Sequence, residues 1–230
     1  MSYRERPKRP IYQRIAKKRN AKAPHFAVPR RGPTTPSHRP SRTPQYLPAL
    51  ERVSRERSEF RRKILLAGYV SRWLREDGID AFVVGGQAVD IYTGGQFATA
   101  DIDIVVSDTG KATNLLRSLG FTPEGRVWLN ERLGIVVDVL SGPLTGSVER
   151  VRVFRVGDVQ IRLPAVEDLI VERLVSAKYW KGAAQNDLEK ASALLTIFKD
   201  KLDDEYLGRR AEEQRVEDYL EKLRNTEVQK

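Results

Sequence analysis

Along this chain the spacing of apolar residues changes character several times, and each change predicts an element. From about Leu50 to Asp77 apolar side chains recur at three- and four-residue intervals (Leu50, Val53, Phe60, Ile64, Leu65, Val70, Leu74), which predicts a long amphipathic helix ended by Gly78. Ile79-Asp80-Ala81-Phe82-Val83-Val84 is instead a short continuous apolar run, a buried strand feeding a glycine turn at Gly85-Gly86. A short helix from Gln87 to Tyr92 precedes Gly94-Gly95. A strand at about 100–106 and a helix near 109–119 follow, then two strands, Arg126 to Asn130 and Gly134 to Leu140, joined tightly through Glu131-Arg132. Alternating stretches near 150–156 and 158–163 meet at Gly157-Asp158, which predicts a hairpin. After Pro164 the pattern is helical, in segments at roughly 165–180, 185–200 and 203–224. The result is an α+β chain: a mixed β-sheet with flanking helices, followed by a helical C-terminal part.

Charge divides the chain in a different way. Residues 1–50 hold thirteen of the 41 Lys and Arg, nine of the twelve prolines and one acid, Glu5; they carry +12, and the remainder carries −2. Prolines at 33, 36, 40, 44 and 48 block continuous helix and favour extended backbone. Residues 1–49 thus read as an extended basic arm, residues 50–163 as an α/β core and residues 164–230 as a C-terminal helical region. The arm has two readings, contact with a polyanion through counterion release or a solvated tail. On the first, Arg14, Lys17, Lys18, Arg19, Arg30 and Arg31 are candidates to bind RNA or another nucleic acid.

Composition narrows the chemistry. Without cysteine, disulfides, thiolate zinc sites and a cysteine nucleophile are excluded. Both histidines, His25 and His38, lie in the arm, so carboxylates and lysines must do any acid–base or ligating work in the core. No stretch approaches the roughly 20 apolar residues of a membrane span, and the expectation is a cytoplasmic protein with no membrane partner.

Asp101 and Asp103 stand one residue apart in Thr99-Ala100-Asp101-Ile102-Asp103-Ile104-Val105-Val106. In a strand they share one face while Ile102 and Ile104 pack on the other. Two carboxylates so placed repel each other, and a hard divalent cation, Mg²⁺ or Mn²⁺, would remove the repulsion. Asp138 is a lone acid in the apolar strand Ile135-Val136-Val137-Asp138-Val139-Leu140. If that strand neighbours the first, three acids converge. Gly85-Gly86, at a strand end before a helix, lets backbone approach a phosphate closely and offers the helix N–H groups to an anion.

Val83-Val84-Gly85-Gly86-Gln87-Ala88, the Asp101/Asp103 strand and Val137-Asp138 together resemble the core signature of the DNA polymerase β-like nucleotidyltransferase superfamily. The resemblance covers about residues 79–140, and more loosely extends to 200. Within the superfamily the chain is most similar to small prokaryotic nucleotidyltransferases that include the AbiEii-type toxins. Those continue into a helix with an acidic start and a Lys-Leu pair, then a Lys-Asp pair. Here Glu167-Asp168-Leu169-Ile170 with Arg173-Leu174, and Asn186-Asp187, occupy these places, so arginine and asparagine replace the two lysines while Asp187 matches. In the tRNA CCA-adding and poly(A) polymerase class an Arg-Asp pair follows the glycines; Asp90 matches its aspartate, but Val89 stands at the arginine.

The resemblance implies transfer of a nucleoside monophosphate from an NTP to an acceptor hydroxyl. It makes Asp101 and Asp103 metal ligands, and Asp138 both metal ligand and base. It has Gly85, Gly86 and Gln87 hold the triphosphate, with Gln87 where many members have serine. Lys178 and Lys181 are candidates to neutralise the leaving pyrophosphate, and Asp187 joins the nucleotide site. The basic arm favours RNA, tRNA above all, as acceptor, and a cognate antitoxin and a nucleoprotein assembly stand as alternative partners that the sequence leaves open. The alternative is a nucleoprotein component that keeps the fold as a scaffold while its arm lies along nucleic acid.

Overall fold

The amphipathic stretch that begins near Leu50 forms two helices rather than one. In a computed structural model, which describes residues 44–180 and 184–228, α1 spans Leu47–Arg55 and α2 spans Glu59–Glu76. The described residues all belong to one compact unit, Pro40–Lys230. The break falls at Ser58, whose extended backbone carries the N-cap of α2: its Oγ accepts from the Arg61 N–H at 3.3 Å. A 3₁₀ turn, Pro44–Tyr46, leads into α1, and the Tyr46 ring packs on Trp73 at 4.6 Å. The arm candidates Arg14, Lys17, Lys18, Arg19, Arg30 and Arg31 lie outside the described residues, as does Lys181.

Five strands make the main sheet: β1 (Ala81–Val84), β2 (Asp101–Val106), β3 (Thr122–Glu124), β4 (Val127–Asn130) and β5 (Ile135–Ser141), in the order β1-β2-β5-β4-β3. Helix α3 (Gly85–Tyr92) joins β1 to β2, and α4 (Thr109–Ser118) follows β2. The β2–β5 pair is parallel and the other neighbours are antiparallel, so the sheet is mixed as expected. Strand β3 escaped the sequence pattern because it is three exposed residues around Pro123. A proline lacks an N–H to give the ladder and is tolerated there because β3 is the edge. Strands β6 (Arg152–Val156) and β7 (Val159–Leu163) form a separate two-stranded ribbon through the predicted Gly157-Asp158 turn.

The inward faces of α2 and the sheet make the core. Ile64, Leu66 and Leu74 of α2, Ile102 and Ile104 of β2, and Ile135 and Val137 of β5 are all buried. Among the described residues four α-helices follow: α5 (Val166–Tyr179), α6 (Ala184–Phe198), α7 (Asp204–Gln214) and α8 (Glu217–Val228). The expected segment 203–224 divides at Arg215, whose left-handed φ of 58° reverses the chain so that Val216 can be buried.

Glu167 and Asp168, at the start of α5, tie this helical part together. A Glu167 carboxylate oxygen accepts the Asp203 N–H at 3.0 Å. Asp168 accepts from the Tyr206 hydroxyl at 2.9 Å, the Arg210 Nε at 2.9 Å and the Ser147 N–H at 3.2 Å. Gly146, at φ 109°, packs its Cα directly on that carboxylate, leaving no room for a Cβ. No helix among the described residues is long and apolar enough to cross a membrane.

Candidate active site

Strand register brings the acids together. Asp103 of β2 is the direct partner of Asp138 of β5, and Asp101 pairs with Val136, so in the parallel ladder all three aspartates share one face. The opposite face, with Ile102, Ile104 and Val137, is buried in the core. On the other side of β2, Val84 pairs with Asp103, which places the turn after β1 against the same carboxylate. That turn is Gly85. Its φ of 63° and the packing of Asp103 Oδ2 where a Cβ would stand both require glycine. At Gly86 a Cβ would meet Thr99 Oγ1 at 2.9 Å. The glycine pair thus lets α3 start directly beside the aspartates.

The acids are held unequally. Asp138 is buried and ion-paired through Oδ2 to Arg126 Nη2 at 3.2 Å, the arginine side chain being 58% exposed. Asp101 Oδ1 lies 3.4 Å from the Thr99 hydroxyl. Burial, reinforced by Asp101, Glu172 and Asp138, pushes the Asp103 carboxyl up to about 7, against a smaller opposing effect of Arg173. Among the described residues no group of three or more His, Cys, Asp or Glu is arranged as a ready set of metal ligands. The acids share a face, but Asp138 is turned to Arg126 and Asp103 is pressed on Gly85. Their all-oxygen donors, with Asp101 and Asp138 both disfavouring ionisation of Asp103, still suit a hard divalent cation.

Helix α5 closes on this face with two residues that periodicity alone did not single out as a pair. The Glu172 and Arg173 side chains are 18% and 12% exposed, and Arg173 donates both to Glu172 and, at 3.1 Å, to Asp187 of α6. The signal was legible in the sequence as two opposite charges inside the apolar run Leu169-Ile170-Val171 … Leu174-Val175. Arg126 gave no comparable signal, since a turn arginine is ordinary until its partner is known. Asp187 is buried and also accepts from the Ser176 hydroxyl, so it stands behind Arg173 and braces α5 against α6. Lys190, one turn further along α6, is half-buried; burial, with Arg173 near, holds its ammonium below the ordinary lysine range, opposed by Asp187 and Asp90.

Other sequence candidates fall elsewhere. The Gln87 amide is fully buried, and neither its nitrogen nor its oxygen finds a partner among the described residues. The first turn of α3 presents backbone N–H groups beside it. Gln87 itself lies on the inward face of α3 with Ala88, Val89 and Ile91. Lys178 is engaged by the Arg215 carbonyl at 2.6 Å and by Asp218 at 2.8 Å, and so fastens α5 to α8. Asp90 accepts the Phe97 N–H at 3.0 Å and fixes the loop entering β2. Lys63, buried in α2, donates to the Thr99 carbonyl of the same loop and pairs with Glu59 at 2.6 Å.

No protein-family model matches the chain, and neither does any curated protein. Among solved structures it is similar to an antigenic nucleotidyltransferase-like protein from Paracoccidioides brasiliensis, with 16% identity over 69% of this chain and 90% of that one, at a TM-score of 0.49. It is also similar to ANT(2″)-Ia in complex with adenylyl-2″-tobramycin, with 15% identity over 64% of this chain and 92% of that one, at 0.46. The solution structure of the antibiotic-resistance factor ANT(2″)-Ia gives 15% identity over 79% of this chain and all of that one, at 0.47. What this chain does must be read from its own residues.

Proposed function

We propose that the chain is a nucleotidyltransferase that moves a nucleoside monophosphate from an NTP to a hydroxyl of an RNA acceptor, tRNA foremost. The observation that carries this reading is the alignment of Asp103 with Asp138 across β2 and β5, with Asp101 on the same face and Gly85-Gly86 at its edge. The acceptor oxygen attacks the α-phosphorus, the bond to the departing pyrophosphate breaks, and the hydroxyl proton passes to Asp138. Asp101 and Asp103 would hold Mg²⁺ or Mn²⁺, joined by Asp138 once Arg126 lets go; the metal supplies charge neutralisation of the phosphates. The first-turn N–H groups of α3 face the triphosphate, and Arg173, steadied by Asp187, places a cation beside the acids. The basic arm adds phosphate affinity that the near-neutral remainder lacks. A cytoplasmic location, and an antitoxin or a nucleoprotein assembly as partner, belong to this proposal as its expectations.

Incubation with labelled NTPs, Mg²⁺ and total RNA should label RNA, and Asp101→Ala or Asp103→Ala should lower the signal by about a hundredfold or more. Equal labelling by the variants refutes the site. The Asp138–Arg126 pair favours a second reading, a scaffold in a nucleoprotein assembly, for which the protein would copurify with nucleic acid and show no NTP turnover.

A further inference from the structure

A groove of about 540 Å³ opens between the α1–α2 corner and strand β6. Its size lies within the range of small-ligand sites, about 300–1,000 Å³. The floor is apolar, made by Ile64 and Leu65 of α2 with Phe154 and Val156 of β6, and Phe60 stands beside them. The rim is cationic, with Arg52, Arg55 and Arg61 against a single acid, Glu56. Glu56 is partly engaged, since its carboxylate accepts the Ser58 N–H at 2.9 Å. Arg52 is held in place by Asp158 and, at 3.0 Å, by the Tyr69 hydroxyl, whereas Arg55 is 80% exposed and, among the described residues, is paired with its helix neighbour Glu51 at 3.3 Å.

Two phenyl rings beneath an arginine rim match the two faces of an unpaired nucleotide: a flat base to stack and a phosphate to neutralise. The chain's own arm is a poor occupant, because its charge has the same sign as the rim. We infer that this groove binds a single-stranded segment of nucleic acid, with bases on Phe60 and Phe154 and phosphates on Arg55 and Arg61. Helix α2 links the groove to the proposed active site. While Phe60, Arg61 and Ile64 line the groove, Lys63 in the same turns holds the Thr99 carbonyl two residues before Asp101. The Phe60 ring also lies 3.7 Å from where a Cβ on Gly95 would stand, in the loop after α3. The inference rests on the RNA reading of the proposed function and extends it to a second contact on the folded core.

The test uses the full-length protein and an oligouridine carrying 4-thiouridine. Photocrosslinks are expected in peptides containing Phe60 or Phe154. Arg55→Glu with Arg61→Glu, both exposed positions, should weaken binding about tenfold and lower the log–log salt slope by about 1.4. Phe154→Ala should weaken binding about tenfold at an unchanged slope, and Phe154→Trp should restore it. Crosslinks confined to residues 1–43, unchanged affinity in the double reversal, or displacement of the RNA by polyglutamate as readily as by unlabelled RNA would each overturn the inference. Transfer assays on the same proteins separate the two claims: groove binding without nucleotide transfer by wild type refutes the enzyme and keeps the groove, and transfer indifferent to the groove variants does the reverse.

Discussion

Replacing Asp103 by asparagine removes one charge from a face that also holds Asp101 and Asp138. The carboxyl is pushed up to about 7 in the folded chain, against about 3.9 in an unfolded one. The folded state therefore binds more protons between these values, and stability falls as pH rises from about 4 to about 7. Below the lower value the contribution is fully present; above the upper one it is lost. Asp103→Asn should abolish that slope and raise stability by on the order of 2 kcal/mol at pH 8, read from urea unfolding at several pH values. Mg²⁺ should raise the melting temperature of wild type and leave the variant's nearly unmoved. At Gly85, alanine would meet both a disfavoured φ and the Asp103 carboxylate, so Gly85→Ala should cost about 1–3 kcal/mol and disturb the site as well.

At the scale of elements, the Glu167-Asp168 pair joins pieces far apart in sequence. Asp168→Ala strips the Tyr206 hydroxyl and the Arg210 guanidinium of a buried acceptor, and should destabilise the chain by about 3–5 kcal/mol. Asp168→Asn keeps an acceptor and should cost less; thermal unfolding distinguishes the two. The elements themselves were largely legible, because β2, β5 and the ribbon follow the period of two and α5 and α6 the helical period. What escaped has physical reasons. Ser58 interrupts a helix whose apolar stripe resumes on the same core, Arg215 adopts a left-handed turn that no glycine announces, and β3 is an edge strand built around proline. The aspartates were visible through their pattern. Glu172 was visible only as a charge inside an apolar run, and Arg126 not at all, because cross-strand and helix-to-sheet partners depend on register that a single segment does not encode.

Over the whole molecule, charge is segregated between a +12 stretch at residues 1–50 and a remainder at −2. Polyanion binding through the arm should therefore be steeply salt-sensitive. Replacing Arg14, Lys17, Lys18 and Arg19 by glutamine in the full chain should lower the log–log salt slope for single-stranded RNA by about 3 and leave thermal unfolding unchanged. An unchanged slope would remove these four residues from the contact. The parallel pairing of β2 with β5 has one more consequence. It joins residues some 35 apart, with α4 and the β3–β4 hairpin between them, so it must wait for its loop to close while neighbouring hairpins form locally. The carboxylates of Asp103 and Asp138 meet only at that moment. The repulsion between these like charges therefore opposes a long-range step of folding rather than a local one.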